Sequence, residues 1–226
     1  MSISGATPPD DGPYPPSPAR AQLLATEHWG LLASRSTAQA EVLTRISMFL
    51  TFTSASLVSL ALVGQATGFT GPFVMLAVIV LAIDATMGML TQLRVVNVAL
   101  EDLMYVLAMN RLRAAYVELD PGVARYLMAS PHDDQSGSRH TYDFLATRTS
   151  FSQVAGSSMI FMATANAALV AILAGVLAAS ARVPLEAAIA IGAVCAAAFL
   201  AWSVRVGYRR YTSVWAGHIP VSPSPL

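Results

Sequence analysis

The chain has no lysine. All thirteen of its basic residues are arginine, matched by thirteen acids, so the formal net charge is zero. No global field draws such a chain to nucleic acid, and the missing lysine reads as codon bias in a GC-rich genome rather than as mechanism. The single cysteine, Cys195, excludes an intrachain disulfide and a multi-cysteine metal site. Charged residues are only 12% of the 226 positions, about half the share in a soluble domain. Also missing are a phosphate-cradling glycine loop, a serine-centred nucleophile elbow, a zinc-protease histidine pair and a long repeat. No cofactor is expected. Residues 1–20 are polar and proline-rich, so no cleavable signal peptide is expected there, and neither end carries a lipidation signal.

What the chain has in quantity is apolar sequence. Hydrophobic residues make up 55% of it and the mean hydropathy is +0.57. Four runs, about 46–64, 72–93, 154–179 and 185–204, each approach the ~20 residues that a ~30 Å hydrocarbon core requires. The expected fold class is therefore an all-α membrane protein with four transmembrane helices. The division expected is a disordered proline-rich tail at 1–17, a long helical hairpin at 18–119, a loop at 120–148, a second transmembrane hairpin at 149–214 and a loose tail at 215–226. Ser17-Pro18 has the form of a helix start, with serine as N-cap and proline where its missing N–H costs nothing. Gly68-Phe69-Thr70-Gly71-Pro72 reads as a tight turn, and Asp120-Pro121-Gly122 as a helix stop.

Arginine gives the orientation. Arg20, Arg35 and Arg45 precede the first run. Arg94, Arg111, Arg113, Arg125, Arg139 and Arg148 lie between the second and third, and Arg205, Arg209 and Arg210 follow the fourth. Only Arg182 falls on the other side. The positive-inside rule then places both termini and the central segment in the cytoplasm. Trp202, Tyr208, Tyr211 and Trp215 fit an inner aromatic belt. The first two helices continue past the membrane as a cytoplasmic helical stalk. Its seam, Leu93, Val96, Leu100, Leu103, Leu107 and Asn110, continuing through Ala114 and Val117, follows heptad spacing. It packs either on the stripe Leu24, His28, Leu31, Leu32 and Val42 of the same chain or on another subunit. Glu41 and Arg45 are spaced for an i,i+4 ion pair. Ala163, Ala167, Ala171, Gly175 and Ala179, with Ala188, Gly192 and Ala196, let helices approach closely in lipid. They serve a tight hairpin or a homo-oligomer.

Three places could carry chemistry. Asp84 lies mid-run, and an acid at that depth is costly enough to be a functional hypothesis by default. Ser54, Ser56, Asn166 and Cys195 fall at similar depth, so Asp84, Asn166, Ser54 and Ser56 form a candidate intramembrane polar layer. Asp84 shares a helix face with Gly88, Thr91 and Gln92. The layer is a proton or cation site, or else interhelical hydrogen-bonding glue. The second place is His132, Asp133, Asp134, His140 and Asp143, whose residue types could hold a divalent metal and activate water. A solvated polar loop is the plainer account. The third, Arg205, Arg209 and Arg210, suits anionic headgroups, though an ordinary topology anchor explains it.

Several short words occur together: Glu27-His28-Trp29 with Leu31-Leu32, Arg45-Ile46-Ser47-Met48-Phe49-Leu50, Gln65-Ala66-Thr67-Gly68-Phe69, Glu101-Asp102-Leu103, Met109-Asn110-Arg111-Leu112-Arg113 with Tyr116, and His132-Asp133-Asp134. Through them the chain resembles a family of uncharacterised bacterial four-span integral membrane proteins, over most of residues 25–180. The resemblance implies architecture and a place in the bacterial inner membrane, and no activity. In architecture alone the chain is similar to two-span effector domains proposed to form pores in bacterial conflict systems.

The functional expectation is a non-enzymatic multi-pass membrane protein, a homo-oligomeric scaffold or interaction protein with a protein partner at its stalk, in contact with the lipid bilayer and not with nucleic acid. The alternatives are a proton or cation channel or pore-former using Asp84, and a metal-dependent activity at the His132–Asp143 segment.

Overall fold

A computed structural model describes residues 17–143, 149 and 156–225. The proline-rich tail at 1–16 and the expected start of the third run at 150–155 lie outside the described residues. The described chain is helical, without strands. Its elements are α1 (Pro18–Thr67), α2 (Gly71–Leu119), a 3-10 turn (Pro121–Tyr126), α3 (Gln135–Asp143), α4 (Ser158–Ser180) and α5 (Leu185–Gly217). α1, α2, α4 and α5 are each long and apolar enough to cross a membrane.

Local chemistry sets the ends of these helices. Ser17 Oγ accepts from the Arg20 amide at 3.1 Å, filling one of the unpaired donors of the first turn of α1. At the other end Gly68 takes a left-handed conformation (φ 70°), which glycine adopts without steric cost. The turn closes tightly because Gly64 lies against the rings of Phe69 and Phe73. α2 stops at Leu119, where Asp120 Oδ1 accepts from the Gly122 amide at 2.8 Å and Pro121 starts a new turn.

α1 and α2 run antiparallel along their whole length. Arg20 meets Glu118, Arg35 meets Asp102, Arg94 meets Glu41 and Ser56 meets Asp84, so partner numbers fall on one side as they rise on the other. The side of α1 turned to α2 carries Leu24, His28, Leu31, Arg35, Ala38 and Val42, then Ile46, Phe49, Ser56, Leu60 and Gly64. These are steps of three and four residues, with one of seven between Phe49 and Ser56, the spacing of one helix face. The heptad seam of α2 therefore packs mostly within the chain. Val96, Leu103, Leu107 and Asn110 are buried and Leu100 is half-buried, whereas Leu93 faces outward at 46% exposure and Leu32 is also exposed.

α2 is the central helix, with α1 on one side and α4 on the other; α5 packs mainly on α4. Val42, Ile46, Phe49 and Leu60 of α1, Ala77, Leu81, Val95 and Val98 of α2, and Met162 and Leu169 of α4 form one apolar core. The small residues of α4 and α5 meet each other. A Cβ added at Gly192 would stand 2.6 Å from the Ala171 carbonyl oxygen, so the small-residue stripe is used inside the hairpin. Large apolar side chains, among them Phe52, Val58, Met75, Ile79, Ile83, Phe161, Ile172 and Val194, point outward.

The stretch 120–148, read from composition as a loop, contains the 3-10 turn and α3, and both pack on the far end of α2. Asp134 explains the helix. Its Oδ1 accepts from the Gly137 amide at 2.7 Å and its carbonyl from Ser138 at 2.9 Å, which makes it the N-cap of a segment whose polarity hides its helicity.

Candidate functional site

Within the apolar bundle the polar groups occupy successive turns of one face of α2. Asp84 is fully buried. Ser56 of α1 donates to its Oδ1 at 3.2 Å, and Oδ2 has no partner among the described residues. One turn on, Gly88 has no side chain, and the amide of Asn166 from α4 fills the space a Cβ would take. Asn166 Nδ2 donates to Gln92 Oε1 at 2.7 Å, and its Oδ1 is buried without a described partner. The structure thus brings Asp84, Ser56 and Asn166 to one interior face and adds Gln92. Ser54 is exposed on the outer side of α1 and Cys195 is half-buried on α5. Toward the Gly68 turn the neighbours of Asp84 are apolar, with Leu60, Ala77 and Leu81 all buried. Asp84 is the only charged residue between positions 46 and 93.

The second candidate has a different arrangement. Asp133 is fully buried. Arg111 donates through Nε to its Oδ2, the Val221 amide donates to Oδ2 at 3.1 Å and the Ser222 amide to Oδ1 at 2.8 Å. The Asp133 amide donates to the Ser222 carbonyl, and His218 Nε2 lies 2.6 Å from the Asp133 carbonyl oxygen. Asp134 accepts from the Ser224 amide at 2.6 Å and hydroxyl at 2.9 Å, besides capping α3. These two acids clasp the segment that follows α5. Burial alone would push both carboxyls up, but the donors outweigh it. Arg111 and the two tail amides hold Asp133 below the usual carboxylate range, and Gly137 and Ser224 do the same for Asp134. His132 gives its carbonyl to Asn110 Nδ2 at 2.7 Å, with its ring Nδ1 buried and without a described partner. His140 is exposed and Asp143 ends α3. Among the described residues no group of three His, Cys, Asp or Glu converges to hold a metal.

Two polar hubs escaped the sequence reading. Asn110, counted there as one position of the heptad seam, is fully buried. Its Oδ1 accepts from Arg113 Nη1 at 2.6 Å and Thr141 Oγ1 at 3.0 Å, which with His132 ties α2 to α3. Asp102 accepts from Arg35 Nε at 2.6 Å and Nη2 at 3.2 Å, from Gln39 at 2.7 Å and from the Tyr142 hydroxyl at 2.8 Å. Burial first, and the Asp102 charge second, push the Tyr142 phenol up. The heptad position of Asn110 was visible; its partners lie up to thirty-one residues away and left no local pattern.

Compared with models of known protein families, with characterised proteins and with solved structures, the chain matches none. The functional reading rests on these residues alone.

Proposed function

We propose that this chain is a non-enzymatic multi-pass protein of the bacterial inner membrane, a homo-oligomeric scaffold whose extramembrane helices dock a protein partner. The arginine distribution supports a cytoplasmic position for both termini and the polar lobe. One observation carries the reading. Asp133 and Asp134, the acids best placed to serve a metal or a reaction, are spent on Arg111, the α3 cap and the chain's own tail. A carboxylate held in this way builds a fixed surface. Native mass spectrometry of the detergent-purified protein tests it. A discrete oligomer free of metal is expected, and a monomer carrying stoichiometric metal would overturn it.

A second reading attaches to Asp84. Its Oδ2 and Asn166 Oδ1 are buried acceptors without described partners, and buried polar atoms are seldom left so. Passage of a proton or cation through the bundle would use them. Proton flux into proteoliposomes, lost in Asp84→Asn, supports it; flux equal to that of protein-free vesicles removes it.

A further inference from the structure

Arg113 differs from four other arginines of the lobe in meeting no acid among the described residues. Arg20, Arg35, Arg94 and Arg111 each meet an acid. Arg113 is half-buried, and among the described residues it makes one hydrogen bond, to the neutral amide of Asn110. A guanidinium carries five N–H donors and stays charged, so among the described residues most of its donors and its charge are unanswered. Burial, and the Arg35 guanidinium second, pull its pKa below the ordinary arginine value, as expected where an anion is missing. Arg35 is a like charge beside it, and Asp102 is spent on Arg35.

Arg113 lines a cavity of about 480 Å³ together with Arg35 and Tyr142, and with Val106, Met109 and Leu127 as apolar wall. That volume lies in the range of small-molecule sites. Among the described residues no acid lines it, and once Arg35 is set against Asp102 the site keeps one positive charge. Asn110 fixes the direction of the guanidinium, and Asn110 is itself locked by Thr141 and His132.

We propose that this cavity binds a small soluble anion, a carboxylate or phosphate ester on a compact apolar body, with Arg113 as its charge partner. The fork of the guanidinium suits either headgroup, and the methionine, valine and leucine walls suit the body. Depth separates a soluble ligand from a lipid. α2 is unbroken from Gly71 to Leu119, so Arg113 lies about 28 Å beyond Arg94 at ~1.5 Å per residue. A headgroup anchored in the bilayer does not reach that far.

Phenyl phosphate is a suitable probe, titrated calorimetrically into the full chain in nanodiscs of phosphatidylcholine. Saturable one-to-one binding is expected, tighter than for inorganic phosphate, and weakened about tenfold or more by Arg113→Gln, the scale of a lost charge-assisted hydrogen bond. Ala129→Trp puts a large ring into the cavity lining while leaving the arginine in the sequence, and abolishes binding as well; it serves if the arginine variant fails to fold. Phosphatidic acid added to the nanodisc leaves the affinity unchanged. The proposal is overturned by absence of binding at millimolar probe, by binding that survives both substitutions, or by competition from phosphatidic acid, which would make the site a lipid site.

Discussion

Removing the Asp133 carboxylate by Asp133→Ala should free the tail after α5 while leaving the helices in place. The carboxylate accepts three donors, from Arg111, Val221 and Ser222, and is fully buried. Deleting one partner of a buried pair costs roughly 3–5 kcal/mol when the other charge is stranded. Here the Arg111 side chain is 41% exposed and can return to water, and the tail amides can do so by detaching. A loss of ~2–3 kcal/mol in tail docking follows, or exchange of the Val221 and Ser222 amides roughly thirty- to a hundred-and-fiftyfold faster. Hydrogen exchange read by mass spectrometry on the C-terminal peptide measures it, with α4 as internal reference. Unchanged exchange at Val221 and Ser222 would refute the clasp. Acid should act the same way. Since the folded Asp133 pKa is lowered, its contribution is fully present above the ordinary aspartate value of ~3.9 and fades as pH falls through the lower folded value. The tail therefore holds at neutral and mildly acidic pH and is released only in stronger acid. Trp215, packed edge-on to His218 at 5.8 Å, reports this by fluorescence in a Trp29→Phe, Trp202→Phe background.

Two further substitutions test the packing. Gly192→Ile drives a branched side chain into the Ala171 carbonyl and should cost about 1–3 kcal/mol, seen as a lower melting temperature in detergent. Gly175→Ala, whose new Cβ would sit 3.7 Å from the Ala188 carbonyl, should change it little, and equal effects would show that the α4–α5 contact is misread. Asn110→Leu strands Arg113, Thr141 and the His132 carbonyl at about 1–3 kcal/mol for each group left unpaired, and should raise amide exchange in α3 before exchange in α1; protection retained in α3 would contradict the hub.

The helices were legible where the signal is local. Ser17 caps through its own hydroxyl, Gly68 must adopt a positive φ, and Pro121 cannot continue α2; each effect is written in one or two residues. The pairing of α1 with α2 was legible in part, because heptad spacing fixes a face but not its partner. The run of arginines and acids at 20, 35, 41, 94, 102 and 118 settles it once the turn at Gly68 folds one helix back on the other. Leu93 misled because the two apolar faces of α2 change over near it. Above, α2 is buried by α1 and α4 together; below, α1 and the α3 region take over, and a single heptad line does not follow that change. α3 was hidden for a different reason. Its residues are weak helix formers, and the helix depends on the Asp134 cap and on Gly137, whose missing Cβ admits the His132 carbonyl.

The candidate sites divide along the same line. Asp84 was conspicuous because one charge among apolar neighbours is visible in one dimension. The His132–Asp134 word was conspicuous too, but its residue types alone left a metal and a solvated loop both open, and its contacts with Arg111 and with residues 218–224 left no local pattern. Arg113 was invisible for the opposite reason. In the sequence it counts as one of twelve arginines on the same side, all equivalent as topology markers, and the net charge of zero suggests that each has an acid to meet. Neutrality of the whole chain does not require neutrality at each site. The charged and titratable neighbours that act on Arg113 are Arg35 and Tyr116, neither of which supplies an anion, while Asp102 is spent on Arg35 and Asp133 on Arg111. That leaves one unmatched charge facing a cavity, and an imbalance of this kind is visible only once every pair has been drawn in space.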